Sequence, residues 1–344
     1  SASACGPAQA PPAAPKAETP SAAKPAAAPL VLKFSDPSAQ GTARTDAFEW
    51  WGKEIEKRTQ GRVQVQFYWS ESLAKARDNI DAAKGGIADL VFAASWSYWP
   101  SVFPVWAYSE LLFLGDDQLP HQMAAKEMYQ AFPELRQEAD NTGLKLLWVG
   151  STPPTVFISR KPIAKLEDFK GLKMRAVGSV ADWAKSLGAT PSPITFYETY
   201  EALQKGAVEA SQSYVYTIRP YKFQEVTKYL TLSSVWFGTY AIFMNKDVWN
   251  KLAPADQNVL EDLWGELSQK NVELHDQSYD SDIKKLKDAG MEVITLTPDE
   301  DARWRASGKF TWDKWIKAME GKGIDGKKML DQYAQFYKKY ERKR

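Results

Sequence analysis

The chain has 344 residues, of which 44 are Lys or Arg and 43 are Asp or Glu, and its formal net charge is +1. This balance excludes the strongly basic surface typical of nucleic-acid-binding proteins, and no nucleic-acid partner is expected. A single cysteine excludes a disulfide within the chain, and two histidines leave little for a metal site, so neither a metal nor a cofactor is predicted. No apolar stretch approaches the roughly 20 residues of a membrane-spanning helix.

Residues 1–29 are mostly Ala and Pro and have almost nothing to bury, so they are predicted to form a disordered tether. The only cysteine, Cys5, follows small residues, an arrangement that resembles the lipid-attachment site of bacterial lipoproteins, although Ala2 stands where leucine is usual. We expect Cys5 to carry a lipid and to be the only membrane attachment. The alternative is that Cys5 is an incidental residue of a linker.

After Pro29, strand and helix patterns alternate, which predicts an α/β fold with mostly parallel strands covered on both faces. The first series contains strands with alternating or continuous apolar residues, separated by helices that end at glycines. Its predicted strands are 30–35, 62–69, 87–95 and 144–150, and its predicted helices include 44–61 and 74–86.

A second series begins near residue 152, and the two series together predict two lobes with a cleft between them. Its predicted strands are 155–159, 171–177, 209–215, 231–236, 239–245 and 291–296. Its predicted helices are 179–188, 221–230, one long helix over 254–289, a helix capped by Thr297, and a C-terminal helix at 310–319.

The sequence contains little that indicates catalysis, and we expect a protein that is not an enzyme. His121 and His275 are far from any G-x-S-x-G nucleophile motif, and no phosphate-binding glycine loop occurs. Asp116 and Asp117 are interpreted as a solvated loop. An enzyme acting on carbohydrate or aromatic acids remains the weaker alternative.

The segment GLKMRAVGS, residues 171–179, places Arg175 near the carboxyl end of a predicted strand and Ser179 as the predicted N-cap of the helix that follows. Ligands of open α/β sheets bind at such strand ends, and a helix N-terminus favours anions. A guanidinium there suits a carboxylate, because it can donate two parallel hydrogen bonds. A surface charge or an internal ion pair is an equally open interpretation of Arg175.

The stretch LEDFKGLKMRAVGS, followed by WAKSLGATPSPITFYETYEALQKGAVEAS, closely resembles the solute-binding proteins of TRAP (tripartite ATP-independent periplasmic) transporters. The resemblance extends over about residues 30–335. It implies a two-lobed, periplasmic-binding-protein-like fold with hinge strands and a long lobe-spanning helix. It also implies a periplasmic, monomeric protein that closes on an organic acid and delivers it to a membrane permease. A sensory lipoprotein that presents its ligand to a signalling partner is the alternative.

The lobe boundaries that follow from this resemblance are 30–151 with 238–279 for lobe I. For lobe II they are 152–237 with 280–344, the latter including the C-terminal helices.

The resemblance also implies that Arg175 pairs with the ligand carboxylate. Ser213 stands where the family commonly has an asparagine, and Thr155 or Thr152 lies where a second arginine is often found. Aromatic residues fall in segments that line the family's cleft, namely Trp69, Trp96, Tyr98, Tyr214, Trp236 and Phe237. One arginine surrounded by rings predicts an aromatic or branched monocarboxylate as the ligand.

Overall fold

The computed structural model describes residues 1–3, 6 and 28–342, so Cys5 and most of the predicted tether lie outside the described residues. The strands are β1 Leu30–Ser35, β2 Val63–Tyr68, β3 Leu90–Ala93, β4 Leu144–Ser151, β5 Val156–Ser159, β6 Lys173–Arg175, β7 Thr190–Ser192, β8 Ala210–Ser213, β9 Tyr229–Leu232, β10 Thr239–Asn245 and β11 Glu292–Thr295. The α-helices are α1 Ala43–Arg58, α2 Asn79–Lys84, α3 Gln118–Ala131, α4 Pro133–Asn141, α5 Gly178–Ser186, α6 Thr199–Gln204, α7 Val215–Ile218, α8 Lys246–Lys251, α9 Pro254–Asp288, α10 Pro298–Gly308, α11 Phe310–Glu320 and α12 Gly326–Lys339.

The strands form two separate sheets; one apolar cluster packs on the first sheet and two pack on the second. The first sheet has the order β2-β1-β3-β10-β4, and the second has the order β11-β9-β5-β8-β6-β7. We call each sheet with its packed helices a lobe, the first and the second. The predicted two-lobed α/β fold is confirmed.

The two strands that bring the chain across from the other lobe run antiparallel to their neighbours. β5 is antiparallel to β8 and β9, and β10 is antiparallel to β3 and β4. All other strand pairs are parallel, including that of β11 with β9, so the prediction of mostly parallel strands is confirmed, with one antiparallel strand in each sheet.

Two short segments, 152–155 between β4 and β5 and 233–238 between β9 and β10, connect the lobes. They are hydrogen-bonded to each other: the Thr152 N–H donates to the Gly238 carbonyl at 2.8 Å, and the Gly238 N–H donates to Thr152 Oγ1 at 2.8 Å. The Thr155 N–H donates to the Trp236 carbonyl at 2.9 Å. We call this pair of segments the hinge.

The long helix predicted from residue 254 is confirmed as α9, which packs against α1 and α3 and then leads into β11 of the second sheet. The predicted cap of α10 is also confirmed, since Thr297 accepts from the Glu300 N–H and Pro298 is the first helical residue. The helix predicted over 221–230 is wrong: a 3-10 turn at Phe223–Glu225 is followed by β9, which pairs with β5 and β11.

The C-terminal helices α11 and α12 contribute to the core of the first lobe through Trp315, Met319, Met329, Leu330 and Tyr333. α12 packs directly on α3. The residue boundaries of the lobes stay a prediction, but this packing favours counting α12 with the first lobe.

Candidate functional site

A partly open cavity of about 70 Å³ lies between the two lobes. Its walls contain nine aromatic residues drawn from both lobes, namely Phe92, Tyr98, Phe196, Tyr197, Tyr214, Tyr216, Tyr221, Trp236 and Tyr240. Such walls favour a ligand with a flat or apolar body.

Arg175, the last residue of β6, lines this cavity and is only 3% exposed. Its Nε donates to the Ile194 carbonyl at 3.2 Å, and its Nη2 donates to the Tyr98 hydroxyl at 3.3 Å. Within the described part of the chain, no carboxylate forms a salt bridge with it. A buried cation without an anionic partner is energetically unfavourable.

The prediction that Ser179 caps the helix after β6 is wrong. α5 begins at Gly178, with Val177 as N-cap and no side-chain cap hydrogen bond. Gly178 has φ of +56°, and a Cβ there would lie 3.4 Å from Ser97 Cβ in the first lobe. Glycine therefore allows both the turn from β6 into α5 and the close approach of the two lobes.

Tyr98 joins the lobes at the Arg175 end of the cavity. It lies in a 3-10 turn, Trp96–Tyr98, just after β3, and its hydroxyl accepts from both Arg175 and the Phe196 N–H, the latter at 2.9 Å. Because Tyr98 belongs to the first lobe and Arg175 to the second, this hydroxyl holds the two lobes together at the site.

A second arginine, Arg44, lines the same cavity and was missed from the sequence. It sits in the first turn of α1, where its Nη1 lies 2.9 Å from Asp36 Oδ2 and its guanidinium carbon lies 4.0 Å from the Phe92 ring centroid. Both partners of this ion pair are buried. An arginine beside the positive end of a helix is unfavourable without a nearby acid, and that was the available signal.

The Asp36–Arg44 pair is enclosed by hydroxyl groups that reach across from the second lobe. The Tyr197 hydroxyl lies 3.1 Å from Ser38 Oγ, and the Ala39 N–H donates to the Tyr221 hydroxyl at 3.0 Å. Burial raises the pKa of both tyrosines well above the usual value, so they remain neutral hydroxyls.

Of the residues predicted to contact ligand, Arg175, Tyr98, Tyr214 and Trp236 line the cavity. Trp236 is fixed by a hydrogen bond from its Nε1 to the Glu110 carbonyl at 2.6 Å. The Glu110 carboxylate accepts from the Trp96 N–H and from Ser95 Oγ, each at 3.0 Å. Burial raises the pKa of Glu110 to about 8.

Three predicted aromatic contacts lie elsewhere, packed against other rings. The Trp96 indole donates to Ser109 Oγ and its ring lies 4.7 Å from Phe103. Trp69 stacks on Phe67 at 4.9 Å. Phe237, the residue after Trp236, stacks on His121 at 4.5 Å. These three side chains are part of the packing, and the cavity does not include them.

Two hydroxyl residues predicted from the family comparison are also absent from the cavity wall. Ser213 Oγ lies 3.2 Å from Thr217 Oγ1, and Thr217 itself lines the cavity, so Ser213 lies one layer behind. Thr155 is fully buried in the hinge.

Gln212, on β8, is a further cavity residue that the sequence did not single out. It is fully buried, and its Oε1 accepts from the Val177 N–H at 3.1 Å. Its Nε2 has no hydrogen-bond partner among the described residues.

Residues 34–318 match the model of the family described as bacterial extracellular solute-binding protein, family 7, also called DctP. The chain belongs to this family. The resemblance to TRAP solute-binding proteins is thereby confirmed.

Named relatives agree with this assignment. The chain is 29% identical to a solute-binding protein of Verminephrobacter eiseniae over 78% of this chain and 80% of that protein. It is 28% identical to the C4-dicarboxylate-binding periplasmic protein DctP of Rhodobacter capsulatus, over 81% of this chain and 84% of that protein.

The fold is similar to that of a TRAP periplasmic solute-binding protein from Bordetella bronchiseptica, solved with bound (R)- and (S)-mandelate. The two share 25% identity with a TM-score of 0.83, covering 91% of this chain and 100% of that one. Among the residues described for the present chain, no helix combines the length and apolarity needed to cross a bilayer.

Proposed function

We propose that this protein is the solute-binding component of a TRAP transporter and captures an aromatic or branched monocarboxylate between its lobes for delivery to a membrane permease. The observation that carries the proposal is Arg175, a buried guanidinium that faces an aromatic-walled cavity without a carboxylate partner. A ligand carboxylate supplies the missing negative charge, and the rings pack against the ligand body.

The charge of the cavity supports one carboxylate rather than two. Arg44 is the second guanidinium in the wall, but Asp36 already neutralises it. Arg175 is then the net positive charge available to a ligand, and a second ligand carboxylate would face neutral hydroxyls and rings. The mandelate bound by the Bordetella protein is an aromatic monocarboxylate, whereas the Rhodobacter relative is named for C4-dicarboxylates.

Lobe closure is the mechanism that this geometry favours. The hydroxyls of Tyr98, Tyr197 and Tyr221 each make a hydrogen bond or close polar contact between the lobes at the edge of the cavity. A ligand that contacts both lobes adds its binding free energy to these contacts and shifts the population toward the closed state.

Neither histidine supports a catalytic alternative. His121 stacks on Phe237 outside the cavity, and His275 lies behind it against Tyr216, at 4.4 Å between ring centroids. Burial lowers the pKa of each to about 3, which leaves both neutral at physiological pH.

A thermal-shift comparison of four acids tests the proposal: benzoate, (R)-mandelate, 3-methylbutanoate and succinate. We expect one or more of the three monocarboxylates to raise the unfolding temperature and succinate to have no effect. Isothermal titration then measures the affinity. Stabilisation by succinate alone would contradict the monocarboxylate assignment, and no response to any acid would contradict carboxylate binding by this cavity.

A further inference from the structure

Gln212 combines three properties that a packing residue does not need. Its side chain is fully buried, it lines the cavity, and its Nε2 has no acceptor among the described residues. Arg175 lines the same cavity, and the strands that carry the two residues, β8 and β6, are paired with Ser211 opposite Arg175. A buried donor at this place calls for an acceptor that the described chain does not provide.

The orientation of the Gln212 amide follows from its neighbour. The Val177 backbone N–H can only donate, and it lies 3.1 Å from Gln212 Oε1. The oxygen must therefore face Val177, because the opposite orientation would place two donors against each other. The NH2 group is left as the part of the side chain that needs a partner.

We propose that Gln212 is a second ligand-binding residue, whose side-chain NH2 donates to the acid group held by Arg175. This inference rests on the proposed function and adds a selectivity to it. Arg175 already donates through Nε to Ile194 and through Nη2 to Tyr98. The donors left over are both N–H groups of Nη1 and the second N–H of Nη2 on Arg175, together with Nε2 of Gln212.

A donor pair of this kind selects a group that only accepts hydrogen bonds. A carboxylate has two oxygens and no donor, so it can satisfy both residues. A primary carboxamide of the same shape has one oxygen, and its own NH2 would meet one of the two donors. The site should therefore bind carboxylates and reject the matching uncharged amides.

The substitution Gln212→Glu tests this arrangement with a minimal change of shape. The variant keeps the oxygen that accepts from Val177 and replaces the NH2 by a second carboxylate oxygen, in the cavity that Arg175 also lines. In the free protein the new carboxylate pairs with the unpaired guanidinium, so we expect the unfolding temperature to rise. With ligand, the two carboxylates compete for the same cation, so we expect at least roughly a tenfold loss of affinity.

Gln122→Glu is the matched control. Gln122 is also a fully buried glutamine, but it lies outside the cavity wall, and its Nε2 donates to the Ser151 carbonyl at 3.1 Å. A carboxylate there opposes a carbonyl oxygen, so the unfolding temperature should fall while the affinity for acids stays at the wild-type value.

The measurements are unfolding temperature without ligand and affinity for benzoate, (R)-mandelate, 3-methylbutanoate and succinate, with benzamide as the neutral counterpart of benzoate. Wild-type protein that binds an acid but not benzamide, together with a more stable and weakly binding Gln212→Glu variant, supports the inference. If the wild type binds an acid and Gln212→Glu binds it equally well, or if that variant is destabilised like Gln122→Glu, the inference alone is overturned. Wild-type protein that binds none of the acids overturns the proposed function and this inference with it.

Discussion

The cavity contains two buried arginines whose surroundings differ. Arg44 lies next to Asp36 and Ser38, with Phe92 under its guanidinium, and its charge is neutralised within the protein. Arg175 makes its two hydrogen bonds to uncharged oxygens, those of Ile194 and Tyr98. Two cations of the same chemistry thus have different surroundings: Arg44 is paired with a carboxylate, and Arg175 has no carboxylate partner among the described residues, which is why we propose it as the ligand anchor.

Removing the Arg175 charge should have the largest effect on binding. Arg175→Met deletes the group that pairs with the ligand carboxylate, so we expect a loss of about 4 kcal/mol, roughly a thousandfold in affinity. The free protein should be no less stable, because the variant also removes a buried unpaired cation. Isothermal titration and thermal unfolding measure the two effects, and near-wild-type affinity would contradict the assignment of Arg175.

Arg44→Met should affect the stability of the free protein more than its affinity for the ligand. It leaves Asp36 buried without its partner, which is expected to lower the free energy of unfolding by about 3 kcal/mol. Urea unfolding measures this change. The double variant Arg44→Met with Asp36→Asn removes both charges and should recover part of the loss; a stable single variant would show that the pair is not needed for the fold.

Buried titratable groups at the two ends of the cavity should change the free energy of unfolding in opposite directions as the pH rises. At the Arg44 end, His275 has a pKa lowered from 6.5 to about 3 by burial and by the charge of Arg44, so its contribution to stability is complete above pH 6.5 and is lost as pH falls below that value. Near the Arg175 end, Glu110 has a pKa raised from 4.5 to about 8 by burial, so its contribution is complete below pH 4.5 and is lost as pH rises through 8.

The alkaline half of this prediction can be isolated with Glu110→Gln. One titrating group changes the free energy of unfolding by at most about 1.4 kcal/mol per pH unit. Between pH 6.5 and 8 the wild type should lose stability, and the variant should lose less. Urea unfolding at pH 5, 6.5 and 8 gives the comparison, and identical slopes for the two proteins would mean that Glu110 does not titrate in this range.

The smallest expected effect is that of Tyr98→Phe. The variant removes the hydroxyl that accepts from Arg175 and from the Phe196 N–H, at a cost of about 1 kcal/mol and roughly a fivefold loss of affinity. Trp96→Phe is the control, because Trp96 is two residues away and its indole contacts Ser109 outside the cavity. That control should lower stability without changing affinity, and equal affinity losses in both variants would weaken the role given to Tyr98.

The sequence identified Arg175 because two local signals agreed, a strand end and the start of the next helix, and the family motif added to them. It missed Arg44 because the surroundings of that residue include tyrosines of the other lobe as well as Asp36. Tyr197 and Tyr221 are 153 and 177 positions away from Arg44 in the chain. Gln212 was missed for a similar reason, since a glutamine in a strand shows its unpaired donor only once the fold places Val177 beside its oxygen.

The aromatic residues show why the sequence alone does not indicate which side chains face the cavity. Trp236 and Phe237 are adjacent, but the first faces the cavity and the second stacks on His121. Trp96 and Tyr98 are separated by one residue, and again only one reaches the cavity. In short irregular segments no period of two or 3.6 indicates which side faces inward, so packing alone decides the direction.

The hydrogen bonds between Thr152 and Gly238 have a consequence for how the lobes move. A Cβ on Gly238 would lie 2.4 Å from the Tyr214 hydroxyl, so this side chain of the cavity wall rests directly on the backbone of the hinge. We therefore expect a ligand that displaces the Tyr214 ring to shift the backbone of the hinge as well.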